Sequence, residues 1–152
     1  MIKIMFVCLG NICRSPMAEF VFKDMVKKEK LEKNFVIQSS ATSTWEIGSP
    51  VHRGTAKKLA EFNISVKGKT AIQLTKSDYD KYDYIIGMEY SNIRDILRIV
   101  GSDSKGKVSR LLDFTNNPRD IADPWYTGNF DETYDDVKEG CEALLEKLKN
   151  DL

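Results

Sequence analysis

The chain has little of what several protein classes require. Its 152 residues include one histidine and three cysteines. An odd, small number of cysteines argues against a disulfide scaffold, and an isolated histidine argues against a zinc site. The 23 basic residues are matched by 23 acidic ones. A chain without net charge lacks the basic surface on which general nucleic-acid binding depends. We therefore expect neither a bound metal nor a nucleic-acid partner.

Long apolar runs are also absent. No run approaches the roughly 20 residues that span a bilayer. The apolar segment at residues 2–7 leads into Cys8 and Gly10 rather than into a cleavage site for a signal peptide. We expect a cytoplasmic protein with reduced thiols and no membrane partner. The 41% of apolar residues and the length suit one globular domain over residues 1–152.

Strands and helices are predicted to alternate along the chain. Short apolar runs predict strands at residues 2–7, 35–37, 84–88 and 108–112. A first helix is predicted from Ser15 as N-cap with Pro16 at its first position, and a last helix follows a long loop at residues 113–129. This order is typical of the α/β class: a single domain with a four-stranded parallel sheet and helices on both faces. Ligands of such folds bind at the carboxyl ends of strands, so the loops after residues 7 and 112 are the predicted site.

The loop after the first strand reads CLGNICRS at residues 8–15. Its length allows several backbone N–H groups to turn inward, beside the positive end of the following helix. Such an anion-binding loop suits a tetrahedral dianion, two oxygens of which Arg14 can hold. The N–H dipoles and Arg14 favour a thiolate at Cys8, to which Ser15 can donate a hydrogen bond. The residues thus indicate an in-line nucleophile, although a tight turn around a buried cysteine is the alternative.

Four segments in this order resemble one known family over the whole chain. They are CLGNICRSPMAE from residue 8, SSATSTWEIG at residues 39–48, YDYIIGMEYSN at residues 82–92 and DPWY at residues 123–126. The chain is thereby identified as similar to the low-molecular-weight protein tyrosine phosphatases. The resemblance implies hydrolysis of phosphotyrosine in proteins, and of small aryl phosphates, without metal or cofactor. A monomer is the default expectation.

The resemblance also implies a role for individual residues. Cys8 would attack phosphorus to form a phosphocysteine, and Asp123 would protonate the leaving oxygen and then activate water. From the residues alone, Asp123 and Pro124 indicate a turn rather than a catalytic acid, and it is the resemblance that favours the acid. Phosphate would be held by Arg14 and by the loop residues Leu9, Gly10, Asn11, Ile12 and Cys13. The loop would be supported by Asn11, Ser15, Ser39 and Asn92, and the cleft mouth lined by Trp45, Trp125 and Tyr126.

Three further expectations concern single positions. Asn11 is expected in a left-handed conformation, which asparagine tolerates better than most residues. In the family, the cysteine at the position of Cys13 can form a disulfide with the nucleophile Cys8 under peroxide. Many relatives carry histidine in the support network where this chain has Lys69, so the sequence leaves the role of Lys69 open.

Three other activities fit parts of the pattern. Arsenate reductases of this fold need two more cysteines around the third strand, and residues 79–100 contain none. Arginine phosphatases resemble the family but carry threonine where this chain has Ile12, which favours phosphotyrosine here. A phosphocysteine carrier would need no general acid, so Asp123 argues against it.

Overall fold

A computed structural model describes all residues, 1–152. Four strands are present: β1 (Ile2–Cys8), β2 (Phe35–Ala41), β3 (Tyr84–Gly87) and β4 (Val108–Arg110). Six α-helices accompany them: α1 (Arg14–Lys28), α2 (Arg53–Ala60), α3 (Asp78–Lys81), α4 (Tyr90–Val100), α5 (Pro124–Thr127) and α6 (Phe130–Lys149). Short 3₁₀ turns lie at Glu32–Asn34 and Leu111–Phe114. No helix has both the length and the apolar character needed to cross a bilayer.

The four strands form one parallel sheet in the order β2-β1-β3-β4. This confirms the predicted fold class. The chain leaves β1 toward one side of the sheet to form β2, and later returns to place β3 on the other side of β1. The strand order therefore reverses at β1, and the crevice that this reversal creates lies at the end of β1, where Cys8 is the last residue.

Alternate residues of β1 point to opposite faces of the sheet, as the pleat requires. Ile4 and Phe6 pack in a core with α1 and α6. Met5 and Val7 pack in a second core with residues of α3 and α4. Helices thus cover both faces of the sheet. Because β1 is buried on both faces, its end, where Cys8 lies, is held rigidly.

Several predicted element boundaries were wrong. The second strand, predicted at residues 35–37, extends to Ala41. The fourth strand ends at Arg110, because Asp113 accepts a hydrogen bond from the Arg110 N–H at 2.8 Å and closes a 3₁₀ turn. Leu111 and Leu112 are buried in that turn and not in a strand. The predicted loop at 113–129 also contains the single helical turn α5. Burial of apolar side chains in a turn gives the same sequence pattern as a short strand.

The start of α1 also differs from the prediction. The helix begins at Arg14, and Cys13 is its N-cap without a side-chain hydrogen bond. Ser15 is therefore not the cap, and its hydroxyl lies 3.0 Å from the Cys8 sulfur. A serine at a helix start is suited to capping, but here the neighbouring sulfur is its partner.

Candidate active site

The anion-binding loop, residues 8–15, turns several of its carbonyl groups outward. Four of its carbonyl oxygens accept hydrogen bonds from segments packed around the loop. The donors are Thr42 N to Cys8 (3.0 Å), Ser43 N to Leu9 (3.0 Å), His52 N to Ile12 (2.8 Å) and Thr55 Oγ1 to Cys13 (3.2 Å). Because N–H and C=O point in opposite directions across a trans peptide, the N–H groups that follow these carbonyls point into the loop. The result is a cradle of donors at the N-terminus of α1.

The Cys8 sulfur lies at the base of this cradle. The Asn11 backbone N–H donates to it at 3.3 Å, and the Ser15 hydroxyl is 3.0 Å away. Cys8 is buried, with 3% of its surface exposed. Donors at this range can hydrogen-bond a sulfur anion, which is the nucleophilic form of cysteine.

Asn11 fixes the direction of the hydrogen bond to sulfur. Its φ is +58°, the predicted left-handed conformation. Its Oδ1 accepts from the Ile72 N–H at 3.1 Å, so Nδ2 is the end that faces Ser15 Oγ at 2.8 Å and Ser39 Oγ at 2.9 Å. Since Ser15 accepts from Asn11, its own hydroxyl hydrogen can go to the Cys8 sulfur at 3.0 Å or to the Ser40 carbonyl at 3.5 Å, and the sulfur is the nearer acceptor.

The hydrogen bonds that run from Asn11 to Ser39 end at a buried carboxylate, that of Glu19. The Ser39 hydroxyl donates to Glu19 Oε1 at 2.5 Å. Glu19 is 2% exposed and, when ionised, only accepts hydrogen bonds. It therefore takes the Ser39 hydrogen and leaves the Ser39 oxygen to accept from Asn11. Glu19 was not predicted as a site residue, because nothing in the sequence distinguishes it from the other acidic residues of a helix.

Lys69 takes part in the same network. Its Nζ donates to the Ser39 carbonyl at 2.7 Å and lies 3.6 Å from Glu19 Oε1. Burial lowers the pKa of the Lys69 ammonium, and the nearby carboxylate opposes that shift. Lys23 pairs with the other oxygen of Glu19 at 2.5 Å. Two lysines thus compensate the buried charge of Glu19.

Arg14 is held by residues from two other segments of the chain. Its guanidinium is 2% exposed, and Nη1 donates to Glu89 Oε2 and to the Ile121 carbonyl, each at 2.8 Å. Glu89 caps α4 in a reciprocal capping box with Asn92. The Asn92 side chain accepts from the backbone N–H groups of Met88 and Glu89, so it supports Arg14 through Glu89. Glu89 was not predicted, because no sequence signal distinguishes it from any other glutamate before a helix.

Asp123 lies on the same rim as Arg14. Its Oδ2 is 3.3 Å from Arg14 Nη2, and its Oδ1 accepts from the Trp125 N–H at 3.0 Å as the N-cap of α5. The side chain is 19% exposed. A carboxylate held by a cap and a guanidinium, yet reached by solvent, can exchange a proton with a group bound above Cys8.

The pocket over the loop has a volume of about 130 Å³. Cys8, Arg14 and Asp123 line it, together with Leu9, Gly10, Ile12, Cys13, Trp45, Glu46, Trp125 and Tyr126. All three predicted aromatic residues thus lie at the mouth, and all are exposed. Glu46 was not predicted, although it directly follows Trp45.

The second cysteine of the loop has a different environment. Burial raises the pKa of the Cys13 thiol to about 12, and the negative charges of Cys8 and Asp123 act in the same direction. Cys13 therefore carries its proton at neutral pH. All three cysteines are free in the structure. No group of three or more His, Cys, Asp or Glu side chains is arranged to hold a metal.

The chain is similar to known proteins over its full length. A family model described as "Low molecular weight phosphotyrosine protein phosphatase" matches residues 3–152. The low molecular weight protein-tyrosine-phosphatase YfkJ of Bacillus subtilis is 42% identical over 153 residues, covering 99% of this chain and 98% of YfkJ.

Solved structures share the fold. The crystal structure of YfkJ superposes with a TM-score of 0.96 over 99% of this chain and 96% of YfkJ. The low molecular weight protein tyrosine phosphatase SP-PTP of Streptococcus pyogenes gives a TM-score of 0.86 at 40% identity, covering 97% and 93%. The Drosophila arginine phosphatase DARP gives a TM-score of 0.88 at 26% identity, covering 97% and 98%.

Proposed function

This chain belongs to the low molecular weight phosphotyrosine protein phosphatase family and is a phosphoric monoester hydrolase, and we propose that it dephosphorylates tyrosine in proteins through a phosphocysteine. The observation that carries the proposal is the single pocket that holds the Cys8 sulfur, Arg14 and Asp123. Each of the three supplies a different part of phosphoryl transfer: nucleophile, charge stabilisation and proton transfer.

In the first proposed step, the Cys8 thiolate attacks phosphorus from below while the phosphate rests in the cradle. The loop N–H groups and the Arg14 guanidinium stabilise the equatorial oxygens, whose charge is spread in the transition state. Asp123 gives its proton to the phenolic oxygen as the P–O bond breaks. The products are phosphocysteine and a free tyrosine side chain.

In the second proposed step, water attacks phosphorus from the side that the tyrosine has left. Asp123, now ionised, takes a proton from this water, and the P–S bond breaks to return the thiolate. Ser15 supports the sulfur as leaving group, because the sulfur is the nearest acceptor for its hydroxyl hydrogen. Inorganic phosphate then departs from the loop.

The aromatic mouth supports an aryl phosphate as substrate. Trp45, Trp125 and Tyr126 can contact a phenyl ring while the loop holds the phosphate. Ile12 lines the same pocket, and its side chain offers no hydrogen-bonding group to the guanidinium of phosphoarginine. Although DARP shares the fold, Ile12 therefore favours phosphotyrosine.

A time course of p-nitrophenol release from p-nitrophenyl phosphate, at high enzyme concentration, tests the proposal. Sustained release after a stoichiometric burst is expected, because phosphocysteine forms and is then hydrolysed. A burst that stops would indicate a phosphocysteine carrier instead. Peptides that carry phosphotyrosine or phosphoarginine then compare the substrate classes, and faster release from phosphoarginine would refute the substrate assignment.

Glu19→Gln is expected to lower kcat about tenfold with little change in KM, because it weakens the chain of hydrogen bonds that directs Ser15 toward the sulfur. With Lys23 bound to the amide oxygen of the new glutamine, its NH₂ group would face Ser39. It would then compete with the Asn11 side chain to donate a hydrogen bond to the Ser39 hydroxyl oxygen. Steady-state kinetics on p-nitrophenyl phosphate, run below the melting temperature of each variant, measure the effect.

Asp24→Asn is the matched control for this change. It replaces an acid with its amide on the same helix, where Asp24 pairs with the exposed Lys28 at 2.9 Å. We expect kcat within about twofold of the unaltered protein, since an exposed pair contributes little. Equal losses in both variants would show that Glu19 acts only through the stability of α1.

A further inference from the structure

His52, the one histidine of the chain, touches both segments that carry the proposed chemistry. Its backbone N–H donates to the Ile12 carbonyl of the anion-binding loop at 2.8 Å. Its imidazole meets the Trp125 indole edge to face, with ring centroids 5.6 Å apart and planes at 75°. His52 thus joins the loop to the aromatic wall at Trp125, and it takes no part in the proposed phosphoryl transfer.

The imidazole is itself firmly held. His52 is the N-cap of α2, and its Nδ1 accepts from the Gly54 N–H at 2.9 Å. The ring stacks on Phe130, with centroids 5.3 Å apart and planes at 18°. Phe130 lies directly on Gly54, where an added Cβ would be 2.3 Å from the ring. Contacts on two sides therefore fix the orientation of the His52 ring.

The Trp125 indole, in contrast, has little support from its own segment. Trp125 lies in α5, which has only four residues, and so short a helix is unstable without tertiary contacts. The side chain is 57% exposed. His52 is the one aromatic ring that pairs with it. The firmly held His52 ring therefore packs against the Trp125 indole, which has few other contacts to hold it in place.

We infer that His52 is a positioning residue for the aromatic wall, whose ring holds the Trp125 indole where it meets the phenyl ring of the substrate. The inference rests on the proposed function, because it concerns how the same pocket binds an aryl phosphate. The phosphate group and the ring are held by different parts of the pocket. Loss of the His52 ring should therefore weaken binding of the ring and leave binding of the phosphate intact.

Two substitutions separate the ring of His52 from its hydrogen bond. His52→Asn keeps an oxygen that caps α2, because asparagine is among the best N-cap residues, but it removes the ring. His52→Phe keeps a ring of similar placement and removes the acceptor. Both keep the backbone N–H that bonds to Ile12.

His52→Asn is expected to raise the KM for p-nitrophenyl phosphate roughly three- to tenfold, the effect of one lost edge-to-face contact. The inhibition constant of inorganic phosphate, which has no ring, should stay within about twofold of the unaltered value because the loop is unchanged. His52→Phe should restore the KM and instead lower the melting temperature by several degrees, since the cap is lost. In a Trp125→Ala background, His52→Asn should have no further effect on KM.

Three results would overturn the inference. The first is an unchanged KM in His52→Asn. The second is a parallel rise of the KM and of the phosphate inhibition constant, which would place the effect on the loop. The third is the same rise of KM in His52→Phe as in His52→Asn, which would assign the effect to the cap.

A fluorescence measurement decides the inference without turnover. In a Trp45→Phe background, Trp125 is the sole tryptophan, because the chain has two. Adding His52→Asn should increase quenching of Trp125 by acrylamide, and unchanged quenching would overturn the inference. A complete lack of p-nitrophenol release from the unaltered protein would refute the proposed function. The quenching measurement would still show whether His52 holds the Trp125 indole.

Discussion

Replacing Cys8 with serine is expected to abolish turnover of p-nitrophenyl phosphate, by on the order of 10⁴-fold or more. A serine hydroxyl is not ionised at neutral pH, and the loop offers no base that could take its proton. Ser15 and the Asn11 N–H are placed to stabilise an anion at this position and do not remove a proton. Steady-state rates at a high enzyme concentration measure the loss.

The same variant should still bind phosphate, because the cradle and Arg14 are unchanged. Inhibition constants are not measurable without turnover, so binding of a phosphotyrosine peptide is followed by calorimetry. A second measurement is acid quenching after reaction with labelled substrate. Labelled phosphate should remain on the unaltered protein and not on Cys8→Ser.

Cys141→Ala is the matched control for this prediction. Cys141 is fully buried in the core between α6 and α1, and burial raises the pKa of its thiol. Its removal should lower the melting temperature and leave kcat within about twofold, because the site does not touch it. Comparable turnover in Cys8→Ser and the unaltered protein would refute Cys8 as nucleophile and assign attack to water.

The parts of the site that lie on one continuous segment were predictable from the sequence. The order of strands and helices predicts a parallel sheet, and the loop at the end of β1 brings Cys8, Arg14 and Ser15 together through local geometry. Asn11 is in the same segment, and its left-handed conformation follows from its residue type.

The residues that support the loop from a distance were not predictable in the same way. Glu19 and Glu89 reach Ser39 and Arg14 only after helices and strands have packed, and a carboxylate on a helix usually faces solvent. Such a carboxylate faces the interior only when a residue of another helix or strand supplies a hydrogen-bond or ion-pair partner there. The role of Lys69 likewise depends on the burial of Glu19, which no spacing in the sequence reveals.

Asp123→Ala is expected to lower kcat/KM about 10²- to 10⁴-fold for phenyl phosphate, and considerably less for p-nitrophenyl phosphate. Phenolate is a poor leaving group and needs a proton as its bond to phosphorus breaks. p-Nitrophenolate spreads its charge over the nitro group and departs with little protonation. A series of substituted phenyl phosphates therefore shows a steeper dependence on the basicity of the leaving group when the acid is missing.

Asp123→Asn separates the acid from the other task of this side chain. Asp123 Oδ1 also accepts from the Trp125 N–H, so alanine removes both the proton donor and the cap of α5. Asparagine keeps an oxygen for the cap and has no proton of suitable acidity. Both variants should show the same steep dependence on the leaving group. If Asp123→Asn instead keeps the full rate on phenyl phosphate while Asp123→Ala loses it, Asp123 serves to hold the wall at Trp125, and the proton must come from another group.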